Sequence, residues 1–390
     1  MRLSGRQGKK LKSVAAALCL VFAGACTGPE EYSRPGCNVI LISIDTLRAD
    51  RLGCYGFHRD TTPNIDRFRS DGAMFSCVAQ APSTMASHAS MFTSLIPSHH
   101  GAFISSTSPL PDSCTTMAEL ISAAGYRTVS FNDGGQISAE LGFDQGFDRY
   151  VTLPNEHQIF YDFSSTVELA GRWLDEEGAG PFFLFLHTYH THHPYTPDRQ
   201  YLDELGVTYS GPLLDQPIHL LHEKIDNGLI HLTREDSEYF TSLYDAEVRQ
   251  MDHAFGRLVK RLKARGLYKQ SLIILTSDHG EELGEHGRWG WHSHSLFEEL
   301  LLVPLIIKFP GNDFAGAEVE QQVRSLDILP TILDVVGVEP PEVLEGLSLL
   351  PPLQGRPDAR PAVSQMDMPR VPTCLRSAGW KYYPAAANYA

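Results

Sequence analysis

The chain has few cysteines, an excess of acidic over basic residues and only one long apolar run. Seven of its 390 residues are cysteine, and their spacing contains no C-x-x-C or zinc-knuckle pattern. Lysine and arginine number 32 against 47 acidic residues, so the formal charge is −15. A negative excess of this size argues against nucleic acid as a partner. Repeats and low-complexity tracts are also lacking.

The apolar run lies at the N-terminus and predicts an export signal. Residues 1–12 carry five basic side chains and no acidic one, and the apolar segment 13–26 ends in small residues before Cys26. This pattern is typical of a signal peptide, and the apolar segment is shorter than a transmembrane helix usually requires. We therefore expect residues 1–25 to be removed and the protein to be exported to the periplasm or cell envelope.

Cleavage before Cys26 would also suit a bacterial lipoprotein. Cys26 would then become the mature N-terminus and carry a lipid that anchors the protein to the membrane. Ala23 stands where such signals usually carry Leu, so plain secretion is the alternative. Export permits disulfides, but five cysteines follow Cys26, and this odd number leaves at least one thiol unpaired.

Strand-like runs alternate with helical patterns along the rest of the chain. The apolar runs lie at 39–44, 127–133, 181–187, 271–278 and 303–309. Helices are predicted over 236–266, where apolar residues recur every three or four positions, and over 326–337. This alternation predicts an α/β domain with a mostly parallel central sheet flanked by helices. Residues 194–232, rich in proline and histidine, are predicted to form a long loop or lid near the site.

Acidic and histidine side chains follow several of these strands. Asp45 ends the first run, and Asp278 and His279 end the fourth. Ligands of open α/β sheets lie beyond the carboxyl ends of the strands, where two carboxylates and an imidazole would suit a divalent metal. Helix capping is the alternative role for Asp45 taken alone. The third run leads into a histidine cluster, for which turn or buried core roles are the alternative: His187, His190, His192 and His193.

A helix predicted over 85–92 would carry Ser83 or Thr84 at its N-terminus. Free backbone N–H groups and the helix dipole favour an oxyanion at that end. A hydroxyl held there beside a metal can attack a tetrahedral sulfur or phosphorus centre. On local grounds alone, ordinary capping is the simpler interpretation.

From about residue 37 to about residue 383, the chain resembles the sulfatase family of the alkaline phosphatase superfamily. The resemblance rests on segments that occur in the family's order and spacing, among them NVILISIDTLRADRLGCYG, TTPNIDRF, SHASMFTSLIPSHHG, GFDQGFD, SDHGEELGEHG, VPLIIKFPG and DILPTILDVVG. It implies a sulfatase-like catalytic domain at 37–355, after a linker at 26–36. The segment 356–390 resembles the start of the family's small C-terminal subdomain, which we expect to be truncated here.

The resemblance also implies roles for individual residues. Asp45 falls at the first metal carboxylate, and Asp278 and His279 fall at the second ligand pair. His192 matches a histidine that contacts the ester group or the leaving oxygen, and His294 lies near the place of a lysine that grips the transferred anion. Both are therefore assigned to catalysis, and the neighbouring or motif histidines His88 and His190 are assigned to substrate binding.

The nucleophile motif departs from that of sulfatases proper. Their C-x-P-S-R-x-x-L-x-T-G motif carries a Cys that is oxidised to formylglycine, and Thr84 stands at the place of that Cys. Ala86, His88 and Ser94 replace the Pro, Arg and Gly. An aldehyde-hydrate mechanism is thereby excluded. The site instead resembles the one-metal, threonine-nucleophile sites of phosphoethanolamine and glycerophosphate transferases.

We therefore expect a metal-dependent hydrolase or transferase that acts on sulfate or phosphate esters. One divalent ion (Mg, Ca, Mn or Zn) would be held by Asp45, Thr84, Asp278 and His279, with Thr84 as the nucleophile. The expected substrate is a small-molecule, glycan or lipid ester. The alternative is a catalytically inactive sulfatase-like protein that binds sulfated or phosphorylated glycans.

Overall fold

The computed structural model describes residues 32–103, 108–153, 162–216, 220–356, 361–366, 372–377 and 379–384. All the elements named below lie within the unit Ser33–Ala390. The predicted signal segment 1–25 and Cys26 lie outside the described residues. Of the described helices, none combines the length and the apolar character that a membrane crossing requires.

Eight strands form the central sheet, which has the order β10–β2–β9–β6–β1–β5–β3–β4. A two-stranded sheet pairs β7 with β8, and a third sheet has the order β11–β12–β13. The strands are β1 (Asn38–Ile44), β2 (Ala73–Val78), β3 (Arg127–Asn132), β4 (Arg149–Thr152), β5 (Phe182–Thr188), β6 (Ser271–Thr276), β7 (Glu282–Leu283), β8 (Trp289–Trp291), β9 (Leu302–Lys308), β10 (Glu318–Arg324), β11 (Ala362–Gln365), β12 (Thr373–Ser377) and β13 (Trp380–Tyr382).

The central sheet is mostly parallel, as the sequence predicts. Only β9 runs antiparallel to its two neighbours, β2 and β6. All seven residues of β1 are buried, and β1 lies between the parallel strands β5 and β6. In this register Ser43 is level with His187 of β5 and Thr276 of β6. The residues that follow β1, β5 and β6 therefore meet at one edge of the sheet.

Helices cover both faces of this sheet. They are α1 (Pro63–Arg69), α2 (Thr84–Thr93), α3 (Pro97–His100), α4 (Met117–Ala123), α5 (Phe163–Glu176), α6 (Arg199–Glu204), α7 (Leu221–Asp226), α8 (Arg234–Ala264), α9 (Glu298–Leu301), α10 (Ile328–Val336) and α11 (Leu350–Leu353). Leu184 and Leu186 of β5 belong to the core shared with α5 and α8. Phe185 points to the other face, where its ring centroid lies 4.9 Å from that of Phe92 in α2. Alternate side chains of one strand thus serve two helical layers.

The structure changes the sequence-based expectation in two places, the segment 194–232 and the start of α2. The segment 194–232 is not a continuous loop, because it contains α6 and α7, each of six residues. Helices this short show too few turns for an apolar period to be recognised. Helix α2 begins at Thr84, and Ser83 is its N-cap residue. The Ser83 side chain makes no capping hydrogen bond, so Thr84 itself occupies the first helical position.

A small antiparallel sheet, β11–β13, forms the C-terminal part of the described chain. It is joined to the segment before the nucleophile helix, because the Gln365 N–H donates to the carbonyl oxygen of Gln80 at 2.8 Å. The Ser364 hydroxyl donates to the carbonyl oxygen of Ala79 at 2.6 Å. This sheet lies in the predicted segment 356–390.

The five described cysteines are all free, and four of them are buried.

Candidate active site

Asp45 lies directly after β1 and is fully buried. The next residue, Thr46, has the left-handed φ of 54°, which turns the chain sharply beneath the site. The Thr46 N–H donates to Asp278 Oδ1 at 3.3 Å. Since β1 and β6 are parallel neighbours, this bond joins the turns that follow two adjacent strands.

The hydroxyl of Thr84 lies between these two turns. Its Oγ1 donates to Asp45 Oδ2 at 3.0 Å and lies 3.3 Å from His279 Nε2. Thr84 is 1% exposed and is the first residue of α2, the end of a helix at which backbone N–H groups lack intrahelical partners. The structure therefore brings Asp45, Thr84 and His279 together as the sequence predicts.

Asp45, Asp278 and His279 form a buried cluster that could hold a metal ion. One ligand atom from each lies within 4.8 Å of the others, and all three residues are fully buried. Among the described residues, Asp45 Oδ1 and Asp278 Oδ2 have no hydrogen-bond partner. A buried carboxylate oxygen without a partner is costly, and a divalent cation would satisfy both oxygens. The donor set thus fits a divalent metal.

Charge repulsion within the cluster supports the same conclusion. Burial, followed by the negative charge of Asp278, raises the pKa of Asp45 well above its usual range. Burial also acts to raise the pKa of Asp278, but neighbouring imidazoles, led by that of His279, hold it below its usual value. Two negatively charged carboxylates at this distance repel each other. A cation between them would stabilise the charged form of both, and both could then serve as ligands.

The tautomer of His279 follows from its hydrogen bond. Its Nδ1 lies 2.8 Å from the carbonyl oxygen of Gly280, which can only accept, so the proton is on Nδ1. Burial lowers the pKa of His279 and keeps the ring neutral. The Nε2 lone pair therefore faces Thr84 and the two carboxylates. Metal-binding histidines commonly use their second nitrogen in this way.

His88 lies on α2, four residues after Thr84. Its Nδ1 is 2.9 Å from the carbonyl oxygen of Thr84, and its Nε2 is 3.0 Å from Ser43 Oγ. Nδ1 also lies 3.5 Å from Asp278 Oδ2. Both ring nitrogens are thus engaged within the protein, and the residue is fully buried. This geometry suits a residue that holds the Thr84 turn in place better than one that contacts substrate.

His192 is connected to His279 through a third histidine, His292. Sequence reasoning did not single out His292. The ring centroids of His192 and His292 are 5.0 Å apart, and those of His292 and His279 are 4.6 Å apart. His292 Nδ1 lies 3.2 Å from the buried carboxylate of Glu281. Burial lowers the pKa of both His192 and His292 to about 4.

His190 and His294 each contact a glutamate outside the Thr84 site. His190 Nε2 is 3.1 Å from Glu247 on α8, and its Nδ1 accepts from the Phe163 N–H at 3.3 Å. His294 Nε2 is 3.0 Å from Glu282 Oε2. The contacts given above join these two imidazoles to Glu247, Phe163 and Glu282 rather than to Thr84, Asp45 or Asp278. The structure thus groups His192, but not these two, with the metal-type cluster.

Sequence reasoning left His187, Glu281 and His292 without roles. His187 Nε2 lies 3.6 Å from Asp45 Oδ2, and both residues are fully buried. The register of β5 against β1, which puts His187 level with Ser43, could have indicated this position. For Glu281, the signal was a carboxylate two residues after His279 in the run SDHGEE. His292 gave no such signal, because it reaches the site from beyond β8.

Comparisons with known proteins show the family to which the chain belongs. Residues 37–338, more than half of the chain, match the family model "Sulfatase", and the chain belongs to the sulfatase family. It is therefore a hydrolase of that family, and the resemblance seen in the sequence is confirmed. The nucleophile and the ion are not part of that match.

Two relatives and one solved structure illustrate the similarity. The N-acetylglucosamine-6-O-sulfatase of Bacteroides thetaiotaomicron is 25% identical, over 88% of this chain and 76% of the relative. The multifunctional alkaline phosphatase superfamily protein PehA of Trinickia caryophylli is 28% identical, over 82% of this chain and 78% of the relative. The phosphonate monoester hydrolase of Agrobacterium radiobacter has a TM-score of 0.73 at 22% identity, covering 89% of this chain and 87% of its own. This last similarity confirms the predicted α/β fold.

Proposed function

We propose that this chain cleaves sulfate or phosphate esters, with Thr84 as a covalent nucleophile and one divalent metal ion in the site. The observation that supports this most directly is the position of Thr84 Oγ1, 3.0 Å from Asp45 Oδ2 and 3.3 Å from His279 Nε2 at a helix N-terminus. A buried hydroxyl with a carboxylate acceptor at the N-terminus of a helix is equipped for attack.

Asp45, Asp278 and His279 would hold the ion, together with the Thr84 hydroxyl. When bound, a divalent ion polarises an ester oxygen and lowers the pKa of a nearby hydroxyl. Carboxylate oxygens suit Mg, Ca and Mn, and the imidazole also suits Zn. Asp45 Oδ1 and Asp278 Oδ2, which lack partners among the described residues, are the oxygens available for it.

The residues of the chain then perform two displacements. Thr84 Oγ attacks the sulfur or phosphorus in line, its proton passes to Asp45 Oδ2, and the bond to the leaving oxygen breaks. Binding of an anionic ester favours the protonated form of His192, whose ring can then donate a proton to that oxygen. Water next attacks the Thr84 ester and gives one proton to the neutral His192 ring, while Thr84 Oγ leaves with the proton held by Asp45. If an alcohol attacks instead of water, the same steps give transfer.

The substrate class is proposed from the relatives. One relative is named as a sulfatase of N-acetylglucosamine 6-O-sulfate, which favours the sulfate ester of a glycan. A threonine nucleophile in place of a formylglycine favours phosphorus chemistry, so we retain phosphate esters as the second candidate. The assignments of His88 and His190 to substrate binding and of His294 to catalysis, made from the sequence, stay predictions.

An ester panel with metal control tests the proposal. Purified protein, stripped with a chelator and reloaded with each candidate ion, would be assayed on an aryl sulfate, an aryl phosphate and an aryl phosphonate monoester. We expect turnover of at least one ester only after reloading. Tight metal binding without any turnover would support the inactive glycan-binding alternative.

We also propose export and a lipid anchor at Cys26. The support is the basic and apolar pattern of residues 1–25. Intact-mass measurement of the protein from cell envelopes should give a chain that begins at Cys26 with added lipid mass. A chain without added lipid would support plain secretion, and a cytosolic chain beginning at Met1 would contradict both versions.

A further inference from the structure

A second cluster of candidate metal ligands lies outside the Thr84 site, between the β7–β8 hairpin and α9. A carboxylate oxygen of Glu282, a ring nitrogen of His286 and a carboxylate oxygen of Glu299 lie within 4.8 Å of one another. Glu282 belongs to β7, His286 to the turn of the hairpin and Glu299 to α9. The proposed reaction uses none of these three residues.

Two carboxylate oxygens in this cluster are buried without a hydrogen-bond partner among the described residues, Glu282 Oε1 and Glu299 Oε1. Glu282 is fully buried, and the side chain of Glu299 is 11% exposed. Glu299 Oε1 lies 2.9 Å from His286 Nε2, yet this contact does not have the geometry of a hydrogen bond. A buried carboxylate oxygen without a partner is costly, and a bound cation would remove that cost.

The contact between His286 and Glu299 is close to the spacing of two ligands on one ion. In a tetrahedral zinc site with metal–ligand distances of about 2.0–2.2 Å, neighbouring ligand atoms lie about 3.4 Å apart. His286 Nε2 and Glu299 Oε1 lie 2.9 Å apart. Burial also raises the pKa of the Glu299 carboxyl, and a cation beside it would counteract this rise.

Neighbouring side chains hold two of the three ligands in place. His294 Nε2 lies 3.0 Å from Glu282 Oε2. The His286 ring stacks on that of Phe297, with centroids 3.6 Å apart and planes within 18° of parallel. Outer contacts of this kind commonly orient metal ligands, and a ligand that is already oriented loses little entropy when the ion binds.

The basic side chains around the cluster are already paired with other carboxylates. Arg48 contacts Glu285 at 2.6 Å, and the charges of these two residues shift the pKa of Glu299 in opposite directions. The neighbouring Glu298, rather than Glu299, contacts two basic residues of the C-terminal sheet at 2.9 and 2.8 Å, Arg376 and Lys381. The negative charge of the cluster is therefore available to a cation from solution.

We propose that Glu282, His286 and Glu299 bind a divalent cation, for which Zn²⁺ fits best, and that this ion fastens the β7–β8 hairpin to α9. Imidazole and carboxylate are ligand types of zinc, and a water molecule can complete its coordination. The hairpin leads to Ser293, whose N–H donates to the carbonyl oxygen of Pro82 at 2.9 Å. A fixed hairpin would thus also steady the segment before α2. The proposal does not depend on the proposed reaction.

The two metal sites differ in their access to solvent. Asp45, Asp278 and His279 are fully buried, whereas the side chain of His286 is 42% exposed. We therefore expect the ion at His286 to exchange readily and to be lost on dialysis. It is measured by adding Zn²⁺ to the protein rather than by analysing dialysed protein.

Calorimetric titration of the full-length Asp278→Asn chain with Zn²⁺ tests the proposal, because that change removes a ligand of the first site. We expect one Zn²⁺ per chain. His286→Asn and Glu299→Gln, each added to this background, should weaken binding at least about tenfold, since even the loss of an outer contact of a ligand costs about 10- to 100-fold in affinity. Thermal melting would check that each variant is folded.

The matched control is His99→Asn in the same background. His99 Nδ1 lies 2.8 Å from Glu345 Oε1 in an exposed pair outside the cluster. Zn²⁺ should bind this variant normally. Backbone hydrogen exchange gives a second readout: Zn²⁺ should slow exchange in residues 282–294, and His286→Asn should abolish that effect.

The proposal is wrong if folded His286→Asn and Glu299→Gln bind Zn²⁺ as tightly as the control. An equal loss of binding in His99→Asn would also contradict it, because zinc would then bind surface His–Glu pairs adventitiously. Exchange in the hairpin that Zn²⁺ leaves unchanged would overturn the fastening role of the ion.

Discussion

Thr84 and Asp45 are 39 positions apart in the chain, yet their side-chain oxygens lie 3.0 Å apart. Asp45 follows the central strand β1, and Thr84 opens the helix that comes after the next strand, β2. Both are buried almost completely, so their contact forms away from bulk water. This single contact joins the predicted nucleophile to the predicted metal site, and the first prediction tests it.

Removing the Thr84 hydroxyl should abolish turnover. Thr84→Ala deletes the attacking oxygen, and loss of a covalent step commonly reduces kcat by about 10⁴-fold or more. Thr84→Ser keeps the oxygen and should retain part of the activity. Steady-state kinetics on the best ester of the panel, with metal content measured on the same samples, would show both effects.

Ser83 is the matched control for this change. It precedes Thr84, is equally buried, and its hydroxyl has no partner among the described residues. Ser83→Ala should therefore keep near-normal kcat. Recovery of a trapped ester on Ser83, or near-normal activity in Thr84→Ala, would assign the nucleophile elsewhere.

The second prediction concerns the metal. Asp278→Asn removes one negative charge from the cluster of Asp45, Asp278 and His279, and we expect it to lose the bound ion. Elemental analysis after dialysis should give one ion per chain for the unmodified protein and almost none for the variant, independently of activity. Asp133, which follows β3 and is also buried, serves as the control. Asp133→Asn should keep its metal. Full metal content in Asp278→Asn would remove that residue from the ligand set.

The third prediction separates two neighbouring histidines. The ring of His292 lies 4.6 Å from that of His279, whereas His294 is bound to Glu282. We expect His292→Asn to lower kcat by up to about 100-fold, the lower end of the usual contribution of a general acid, because the His292 ring contacts that of His192, the proposed proton donor. His294→Asn should lower it less. If His294→Asn proves the more damaging, the family-based assignment of His294 to the transferred anion is the better one.

The fourth prediction concerns stability and pH. His100 on α3 is 1% exposed, accepts from the Ala102 N–H at 3.0 Å, and contacts Ser90 Oγ at 3.1 Å. Burial lowers its pKa to about 3, against an ordinary value of 6.5 in the unfolded chain. The unfolded state therefore binds more protons between pH 3 and 6.5, and stability falls as the pH drops through that window.

This contribution can be isolated with a variant that does not titrate. Between pH 6.5 and 5, the single histidine should cost about 2 kcal/mol of unfolding free energy, at about 1.36 kcal/mol per pH unit. His100→Gln should be less stable at pH 7 but should lack this part of the pH dependence. Urea unfolding of both proteins at several pH values would measure the difference. Parallel curves for the two proteins would contradict a buried neutral His100.

Particular elements show what could be predicted from the sequence. The run of Val, Ile and Leu before Asp45 predicted a buried central strand, because only a strand covered on both faces is apolar throughout. The long run of apolar residues at intervals of three or four predicted α8 to within two residues at each end. By contrast, α6 and α7 were missed, because six residues complete fewer than two turns.

The sequence by itself determined the chemistry available at the sheet edge. Residue types and strand ends predicted that Asp45, Asp278 and His279 would lie close together, since parallel strands end at a common edge of the sheet. The motif spacing, read through the family resemblance, likewise predicted Thr84 as the hydroxyl at the nucleophile position. Residue types, strand ends and motif spacing are local properties, because they can be recognised from neighbours along the chain.

The tertiary structure decided which histidines join that site. Four of them lie at the end of β5 or shortly after it, yet their contacts differ: His187 lies against Asp45, His190 against Glu247, His192 against His292 and His193 against His222. The chain path after a strand sets each ring's direction, and that path depends on packing against α8 and the β7–β8 hairpin. Burial, tautomer and pKa follow from those long-range contacts, because they depend on what surrounds a side chain in space rather than in sequence.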